Sequence, residues 1–439
     1  MRKSDFYLGV LDLAQGTIAR KYFNFFLESL QWNRKEILQC QVKKLKELIR
    51  YSYRHVKYYR EIFEKNNLNP DSIKTLEDLK QLPVLTRSDI QKNFEKLVSD
   101  EKEMLKYTRS SSSGTTGIPI NYLHDVDGDS SGKAAGFFFN YLSGWNFGRR
   151  SIHIWGNITS IQRWNSPGSK LKQFFFMQKN LPSTDLNEIV NYKKVIDLIN
   201  RIKPFSIDGY TSSIYNLARY IKDHNVKIYR PKFVFTTAEN LFKNEKNIIE
   251  SSLGLVSDIY GCGEINGIAV RPVAEDKYYI LEPHVIIEAE SIRKGDYKEI
   301  IVTNLDNKIM PLIRYKIGDL IDGIYEGDEQ NRFGFSYFKQ IIGRTSEVID
   351  MGNGKILSPI NIFGGTLFRE IGGVLKHKVV WNGNYLDFLF EVNPGFNREK
   401  ACEKINAELK PYDVTFKITI VDRLNPDKSG KFRYMEIAK

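Results

Sequence analysis

The chain has 439 residues, of which 65 are Lys or Arg and 53 are Asp or Glu, so its formal net charge at pH 7 is +12. With 41% hydrophobic and 13% aromatic residues it is too apolar for a disordered chain, and its length predicts two or three domains. Three widely separated cysteines exclude a disulfide scaffold and a cysteine-rich zinc module, and they fit a reducing compartment. The positive charge indicates either an anionic partner or a solvated lysine-rich surface.

No segment has the pattern of a membrane span or a secretion signal. Residues 1–6 are mostly polar, and polar residues interrupt the apolar stretch 7–30 well before the roughly 18 apolar residues that a span needs. We therefore expect a soluble, cytoplasmic protein. Phe23, Phe25 and Phe26 could lie against a membrane surface, although packing in the core explains them better.

Residues 1–100 have the pattern of helices. An apolar stripe at three- and four-residue spacing predicts an amphipathic helix over residues 36–53, with shorter helices at 58–67 and 76–79. Strand-like runs then alternate with helical stretches from about residue 100 to 340, which predicts an α/β fold with a largely parallel sheet. The predicted strands are 151–155, 233–236, 285–289 and 300–304, and the predicted helices are 189–202 and 212–224.

The last hundred residues predict a separate α+β unit. Residues 385–392 read as a strand, 398–409 as a helix with an apolar face, and 414–420 as a strand in which apolar and polar side chains alternate. We place the domain boundary at a Gly-Arg turn, so that a large domain spans residues 1–342 and a small domain spans 343–439.

The most informative segment runs from Ser110 to Pro119 and contains four serines, two threonines and two glycines. Such a segment forms a flexible loop with many hydroxyl and backbone N–H groups, which suits an oligophosphate. It is not a P-loop, because no Gly-Lys-Ser/Thr sequence closes it. A plain Ser/Gly linker is the alternative interpretation.

Other segments carry residues that suit a nucleotide site. Tyr260 and Glu264 follow a strand-like run, and ligands of open α/β sheets bind at strand ends. Asp319 follows a glycine turn, where its carboxylate could accept hydrogen bonds from a diol such as ribose. Each of these segments could equally be a surface turn. Lys431 stands on a glycine-containing turn near the C-terminus, where a lysine is usually solvated.

Taken in order, these segments resemble the adenylate-forming enzymes, and among them the phenylacetate–CoA ligase family, including its branch associated with capsular polysaccharide synthesis. The resemblance covers nearly the whole chain. Ser112 to Pro119 is similar to the phosphate loop of the family, and Thr237-Ala238-Glu239 is similar to its Gly-Ala-Glu-Pro segment. Tyr58-Tyr59-Arg60, Leu76-Glu77-Asp78-Leu79 and Leu82-Pro83 resemble its N-terminal region.

The resemblance implies a fold and a reaction. The fold would be a large N-terminal α/β adenylation domain with a helical N-terminal region, followed by a small mobile α+β domain. The reaction would convert ATP and a small-molecule carboxylic acid to an acyl-adenylate and pyrophosphate, and then transfer the acyl group to coenzyme A. Transfer to an amine in surface polysaccharide synthesis and a non-catalytic nucleotide-binding homologue are the alternatives. Mg²⁺ would be required, and the resemblance leaves open a homodimer.

The resemblance also implies roles for individual residues. The residues that would hold the β- and γ-phosphates of ATP are Ser112, Ser113, Gly114, Thr115, Thr116 and Gly117. The residues that would contact its adenine, ribose or α-phosphate are Ala238, Glu239, Tyr260, Gly261, Asp319 and Arg344. Lys431 would stabilise charge as the adenylate forms, Thr116 and Glu264 would place Mg²⁺, and Ser346 would be the hinge of the small domain. Candidates for the acid pocket are Trp155, Tyr210, Gly263 and Ile265, although core packing is the favoured interpretation of both aromatic residues.

The sequence departs from the family in several places. Ile120 follows the loop proline where many members have lysine, and Ser346 replaces the usual aspartate of the hinge. Residues 271–284 contain no cysteine, which predicts no structural zinc, and His284 is better explained by a role in the fold. Binding to nucleic acid or to an anionic surface would also use the positive charge. We do not expect it, because the basic residues form no block of five or more and no nucleic-acid motif is present.

Overall fold

The structure is a computed structural model. It describes residues 2–112, 120–156, 164, 166–183, 189–292, 297–328, 331–351, 356–359, 371–425, 432 and 434–438.

The N-terminal hundred residues are helical, as predicted. The helices are α1 (Lys3–Gln15), α2 (Ala19–Ser29), α3 (Arg34–His55), α4 (Lys57–Lys65) and α5 (Arg87–Leu97), with short 3₁₀ turns at Pro70–Ser72 and Glu77–Gln81. Ile37, Leu45, Leu48 and Ile49 of the apolar stripe of α3 are buried, and the first turn of this helix is closed by a capping box between Asn33 and Glu36. Phe23 and Phe26 of α2 are fully buried and Phe25 is half-buried, which confirms the core interpretation of these aromatics.

Strands and helices alternate in the middle of the chain. The next elements are β1 (Tyr107–Ser111), β2 (Asn121–Asp125), α6 (Val126–Leu142), β3 (Ser151–Ile154), α7 (Pro167–Phe175), β4 (Gln178–Leu181), α8 (Ile189–Ile202), β5 (Ser206–Tyr210), α9 (Thr211–Asp223), β6 (Phe233–Thr237), α10 (Lys243–Ser252) and β7 (Leu255–Tyr260). The strands that follow are β8 (Ala269–Arg271), β9 (Tyr278–Ile280), β10 (Val285–Ser291), β11 (Lys298–Asn304), β12 (Tyr315–Ile321), β13 (Tyr337–Phe338) and β14 (Ile341–Arg344).

Within the described residues, the largest sheet has eight strands in the order β13-β9-β8-β7-β6-β5-β3-β4. The strands from β4 to β7 are parallel neighbours. Residues of α8, α9 and α10 pack on one face of this sheet, and residues of α2 and α6 pack on the other. Along β6 the side chains alternate between two apolar cores, since Phe233 and Phe235 pack with α2 and α6 while Val234 packs with α8, α9 and α10.

The expectation of a largely parallel sheet needs a correction. β8, β9 and β13 join the large sheet as antiparallel strands. β10, β11, β12 and β14 form a second sheet that is antiparallel throughout. Only six residues separate β10 from β11, which is too short for the helical crossover that a parallel pair requires.

The C-terminal residues form an α+β unit. Its elements are β15 (Ile349–Asp350), β16 (Ile356–Leu357), β17 (Val374–Trp381), β18 (Tyr385–Val392), α11 (Arg398–Leu409), β19 (Thr415–Ile420) and β20 (Met435–Ile437). Four of the strands form a sheet in the order β19-β18-β17-β20, with a buried apolar cluster that includes residues of α11. The boundary at residue 343 stays a prediction, and Gly343 and Arg344 themselves pair with β12 as part of β14.

Candidate active site

A cavity of about 530 Å³ lies beside the carboxyl ends of β5, β6 and β7. Tyr210 and Thr237 end two of these parallel strands and line the cavity, because neighbouring parallel strands end at the same edge of a sheet. The cavity brings together predicted residues that are far apart in the sequence. Those on its wall are Ser112, Trp155, Tyr210, Ala238, Gly261, Gly263, Glu264, Asp319 and Arg344.

One side of the cavity carries a carboxylate held between two neighbours. Asp319 of β12 lies opposite Arg344 of β14, and the Nε atom of Arg344 is 3.5 Å from the Oδ1 atom of Asp319. The hydroxyl of Tyr260 donates a hydrogen bond of 2.8 Å to the Oδ2 atom of Asp319. Burial, reinforced by the charge of Asp319, raises the pKa of Tyr260 well above its usual value, so this hydroxyl stays a donor.

A second carboxylate, that of Glu264, is nearly buried in the cavity wall. The Nη1 atom of Arg87 is 3.8 Å from its Oε1 atom, and the Nη2 atom of Arg87 donates a hydrogen bond of 2.8 Å to the Oγ atom of Ser112. The hydroxyl of Tyr315 lies 3.5 Å from the same carboxylate oxygen. One guanidinium therefore links the predicted metal ligand to the first residue of the predicted phosphate loop.

The sequence analysis missed Arg87, although a signal was present. Thr86 and Asp89 form a capping box, which makes Arg87 the first residue of α5. A cation is unfavourable in the first turn of a helix, because the helix dipole places positive charge there. A basic residue directly after an N-cap therefore indicates an anionic partner elsewhere, and here that partner is Glu264.

The turn after β7 is held by backbone contacts. The backbone N–H of Cys262 donates to the carbonyl of Ile265 at 3.0 Å, and the Nε2 atom of His124 lies 2.9 Å from the carbonyl oxygen of Glu264. Gly267 has a φ of +74°, and a Cβ atom there would lie 2.3 Å from the Cβ atom of Ala135. Only glycine fits this position, and the hydrogen bonds of the turn hold the backbone of Glu264 in place.

Ala238 and Glu239 connect the cavity to the C-terminal unit. Ala238 lines the cavity in a left-handed conformation with a φ of +69°, which is uncommon for a residue with a side chain. The carboxylate of Glu239 accepts hydrogen bonds from the backbone N–H of Ser212, at 2.7 Å, and of Phe432, at 3.2 Å. Phe432, which follows Lys431, is therefore hydrogen-bonded to the segment that contains Ala238 of the cavity wall.

No protein-family model matches the chain. The chain is 27% identical to Protein CapK of Staphylococcus aureus over 444 residues, which cover 94% of this chain and 93% of CapK. It is 23% identical to the phenylacetate-coenzyme A ligase of Escherichia coli (strain K12) over 76% of each protein. These similarities to CapK and to phenylacetate-coenzyme A ligases support an adenylate-forming ligase that is similar to the phenylacetate–CoA ligases.

A solved structure has the same fold over nearly the whole length of this ligase. The structure of 2-hydroxyisobutyryl-CoA ligase in the postadenylation state, in complex with R3-HIB-AMP, matches with a TM-score of 0.74 at 15% identity, covering 94% of this chain and 91% of that one. The same enzyme in the thioesterification state matches with a TM-score of 0.60 at 16% identity, covering 93% and 91%. The fold expected from the resemblance is confirmed.

Several residues assigned to the site lie outside the described residues. They are Ser113, Gly114, Thr115, Thr116, Gly117 and Lys431. The two ends of the loop are described: the backbone N–H of Ser112 donates to the carbonyl of Ile120 at 2.9 Å, and the backbone N–H of Ile120 donates to the hydroxyl of Ser112 at 3.2 Å. The backbone of Ser346 forms part of a 3₁₀ turn, Thr345–Glu347, directly after β14.

Three of the assigned residues do not line this cavity, and their assigned roles stay predictions. Ile265 is not a wall residue, because the turn directs its side chain into the core, where it is fully buried. Tyr260 lies behind the wall and contributes through its hydrogen bond to Asp319. Glu239 likewise does not line the cavity, since its carboxylate bonds to Ser212 and Phe432.

His284 belongs to the packed interior of this ligase. It is buried, its Nδ1 atom lies 2.6 Å from Asp306, and its Nε2 atom lies 2.9 Å from the carbonyl oxygen of Asn266. These contacts agree with a role in the fold. Across the described part of the chain, no cluster of three or more His, Cys, Asp or Glu side chains is arranged to hold a metal ion. In the same part, no helix is both long enough and apolar enough to cross a membrane.

Proposed function

We propose that this ligase uses ATP to convert a carboxylic acid to an acyl-adenylate and then transfers the acyl group to coenzyme A. A carboxylate oxygen attacks the α-phosphorus of ATP, the bond from that phosphorus to the bridging oxygen breaks, and pyrophosphate leaves. The thiolate of coenzyme A then attacks the acyl carbon and AMP leaves. The observation that carries the proposal is a single cavity in which the carboxylates of Asp319 and Glu264 meet the strained backbone of Ala238.

The polar groups on the cavity wall suit the parts of ATP. The carboxylate of Asp319 can accept hydrogen bonds from both ribose hydroxyls, while Arg344 and Tyr260 hold it in position. Arg87 and Ser112, on another part of the wall, suit the phosphates. Adenine would lie against the backbone of Ala238 and Gly261, where the wall carries little side-chain bulk.

Glu264 suits Mg²⁺. Mg²⁺ prefers oxygen ligands and keeps several waters, so one protein carboxylate and the phosphates of ATP are sufficient as its other ligands. Glu264 lies on the cavity wall and faces the same guanidinium that reaches the phosphate loop. Bound Mg²⁺ would neutralise phosphate charge, and Glu264, with Thr116 of the loop, would hold it beside Ser112.

Lys431 would stabilise charge on the reacting carboxylate and the α-phosphate during the first step. Two observations support this role. Phe432 bonds to Glu239, and Glu239 adjoins Ala238 of the cavity wall. The TM-score is also higher against the postadenylation form of the neighbouring ligase than against its thioesterification form, 0.74 against 0.60. We infer that the small unit rotates about Ser346 before the second step.

The acid would lie against Trp155 and Tyr210. Their ring centroids are 4.4 Å apart, and both rings line the cavity on the side of β3 and β5. Two rings at this separation narrow that side, which suits an aryl or short acyl group lying flat against an aromatic face. Gly263 also lines the cavity, and a Cβ atom there would lie 2.8 Å from the hydroxyl of Tyr122, so a side chain at this position would require Tyr122 to move.

An amine is the second candidate acceptor. The observation that favours it is the similarity to CapK over 94% of this chain, at a higher identity than to the Escherichia coli phenylacetate-coenzyme A ligase. An amine attacks the same acyl carbon and releases AMP, so the first half-reaction and its residues are unchanged. The product would then be an amide, formed as a step of surface polysaccharide synthesis.

The test starts from the first half-reaction. The purified ligase is incubated with ATP, Mg²⁺ and a mixture of carboxylic acids, and acyl-adenylates are identified by mass spectrometry. The experiment is repeated with coenzyme A and then with amines, including aminosugars and amino acids. We expect one or a few acids to give adenylates and one class of acceptor to consume them. Absence of acid-dependent pyrophosphate exchange across a broad panel of acids would contradict the proposal.

A further inference from the structure

An exposed apolar surface lies on α1, on α7 and on Met177, two residues after the end of α7. Its large apolar side chains are Phe6 (48% exposed), Leu13 (90%), Leu171 (69%), Phe174 (82%) and Met177 (46%). We call these five residues the α1–α7 surface. Single exposed apolar residues are ordinary, but several grouped on adjacent elements mark a site that contacts another apolar phase.

The two helices that carry this surface are in contact. The ring of Phe175 lies 6.0 Å from the ring of Phe6 and 5.1 Å from the ring of Tyr7. Leu171 and Phe174 are three residues apart and therefore share one side of α7, and no residue of α7 is buried. Phe6 and Leu13 are seven residues apart, which places them on one side of α1.

The charges beside these apolar residues are positive. α7 contains Lys170 and Lys172 but no acidic residue, and Arg2 and Lys3 lie at the start of α1. These four basic residues are exposed. Arg149 and Arg150 are also exposed, and they directly precede Ser151, whose backbone N–H donates to the carbonyl of Met177 at 3.0 Å.

The carboxylates of α1 accept hydrogen bonds from other residues of the fold. Asp12 accepts hydrogen bonds from the hydroxyl of Thr17 and the backbone N–H of Ala19, both at 2.7 Å, and so caps the start of α2. Asp5 accepts a hydrogen bond of 3.1 Å from the side-chain amide of Asn24. The acidic groups of α1 therefore bond to α2. Asp129, whose carboxylate acts on Lys172, is paired with Lys133 at 2.6 Å, so the excess charge beside the α1–α7 surface is basic.

We propose that the α1–α7 surface binds peripherally to a membrane that contains anionic lipids. Bulky apolar residues flanked by lysine and arginine are the combination that inserts shallowly at the boundary between headgroups and acyl chains. A second copy of this chain fits the surface less well, since a symmetric contact would bring the basic residues of both copies into one interface. The surface would give part of the net charge of +12 a function that the nucleotide site does not provide.

The test measures binding of the full chain to lipid vesicles by sedimentation. One set of vesicles is phosphatidylcholine, and the other contains equal amounts of phosphatidylcholine and phosphatidylglycerol. We expect partitioning into the anionic vesicles to be about tenfold stronger or more, and to weaken as salt is added. Leu171→Glu with Phe174→Glu should reduce this binding by about tenfold or more, because two carboxylates replace the inserting side chains.

Two further double variants complete the test. Met104→Glu with Ile420→Glu changes two apolar residues of similar exposure, 76% and 50%, on other elements, and should bind as the wild type does. Lys170→Gln with Lys172→Gln keeps the apolar residues and should lower binding to anionic vesicles only. If the glutamate variant of α7 shows no thermal unfolding transition, and so does not fold, the variant with Lys170→Gln and Lys172→Gln tests the proposal in its place.

Three outcomes would overturn the proposal. One is the absence of vesicle binding by the wild type. Another is equal binding to neutral and anionic vesicles. The third is a dimer, measured by light scattering, that the α7 glutamates convert to a monomer while vesicle binding stays unchanged or absent, because the surface would then be a contact between two copies.

Discussion

Asp319 of β12 and Arg344 of β14 are cross-strand partners, and the hydroxyl of Tyr260 reaches the same carboxylate from the end of β7. Three elements therefore fix one acidic side chain at the cavity wall. A carboxylate that is held by a cation and a hydroxyl needs no rearrangement to accept hydrogen bonds from a ribose. The second sheet, which is antiparallel and contains β12 and β14, would thus supply part of the proposed nucleotide site.

Asp319→Asn should weaken ATP binding. A hydrogen bond to a charged acceptor contributes about 1.5–3 kcal/mol, so the KM for ATP should rise roughly 10- to 100-fold while the KM for the acid changes less. Tyr260→Phe keeps the carboxylate and its arginine, and should have a smaller effect. Steady-state kinetics of pyrophosphate exchange measure both variants. An unchanged KM for ATP in Asp319→Asn would show that this carboxylate does not hold the ribose.

Arg87→Gln should impair the use of ATP. Arg87 joins the hydroxyl of Ser112 to the carboxylate of Glu264, and its loss removes a cation from the predicted phosphate site. We expect kcat/KM for ATP to fall by about 10- to 100-fold, the range for a charge-assisted contact. Lys92→Gln, an exposed lysine on the same helix, is the control. A lower thermal midpoint with unchanged kinetics would instead assign Arg87 a structural role.

Lys431→Ala should separate the two half-reactions. Removal of a group that stabilises developing negative charge typically costs about 10²–10³ in rate, and this loss should appear in formation of the acyl-adenylate. Transfer from a synthetic acyl-adenylate to the acceptor should change by less than about tenfold, because the α-phosphate has already reacted. Lys428→Ala changes a second lysine of the same segment and is the control. Equal losses in both half-reactions would contradict the assigned role.

Ile265→Ala and Trp155→Phe should have different consequences. Ile265 is fully buried in the core, so its truncation should lower the free energy of unfolding by about 2–5 kcal/mol and leave the preference among acids unchanged. Trp155 lines the cavity, so its replacement should change the relative kcat/KM values of different acids. Urea denaturation and competition between acids measure the two effects. A changed preference among acids in Ile265→Ala would instead support the assignment of Ile265 to the acid pocket.

Local patterns in the sequence predicted the elements well. The strand at 385–392 and the helix at 398–409 were predicted with the bounds that the structure has. In both elements the spacing of the apolar residues indicates which face is buried, and that spacing differs between a strand and a helix. The helical N-terminal region and the α/β alternation from β3 to β7 follow from the same patterns. The sequence analysis did not separate the antiparallel sheet, since a strand in it carries the same apolar residues as a parallel strand.

Contacts in space were harder to predict from the sequence. Ile265 follows Glu264 directly in the turn that contains Cys262 and Gly267. The side chain of Glu264 lines the cavity, whereas that of Ile265 is buried in the core. Arg87 meets Glu264 only through the packing of α5 beside β12. The resemblance to a family identified motifs with fixed spacing, and it could not identify a contact between two segments that lie far apart in the chain.

His377 should make the stability of this ligase sensitive to acid. It lies on β17, beside the contact at which the Nη1 atom of Arg219 donates a hydrogen bond of 2.7 Å to the carbonyl of Leu375, and its ring is 5.1 Å from that of Tyr434. Burial, together with the charge of Arg219, lowers the pKa of His377 to about 3.

The unfolded chain binds a proton at this histidine near pH 6.5, whereas the folded chain excludes it until the pH approaches 3. The stabilising contribution is therefore complete above pH 6.5 and is lost progressively as the pH falls from 6.5 towards 3. His377→Gln lacks this term, so its thermal midpoint should fall less than that of the wild type between pH 7.5 and 4.5. His224→Gln, a change to an exposed histidine at the end of α9, should follow the wild type. Parallel curves for the wild type and His377→Gln would mean that His377 takes up its proton equally in the folded and unfolded chains.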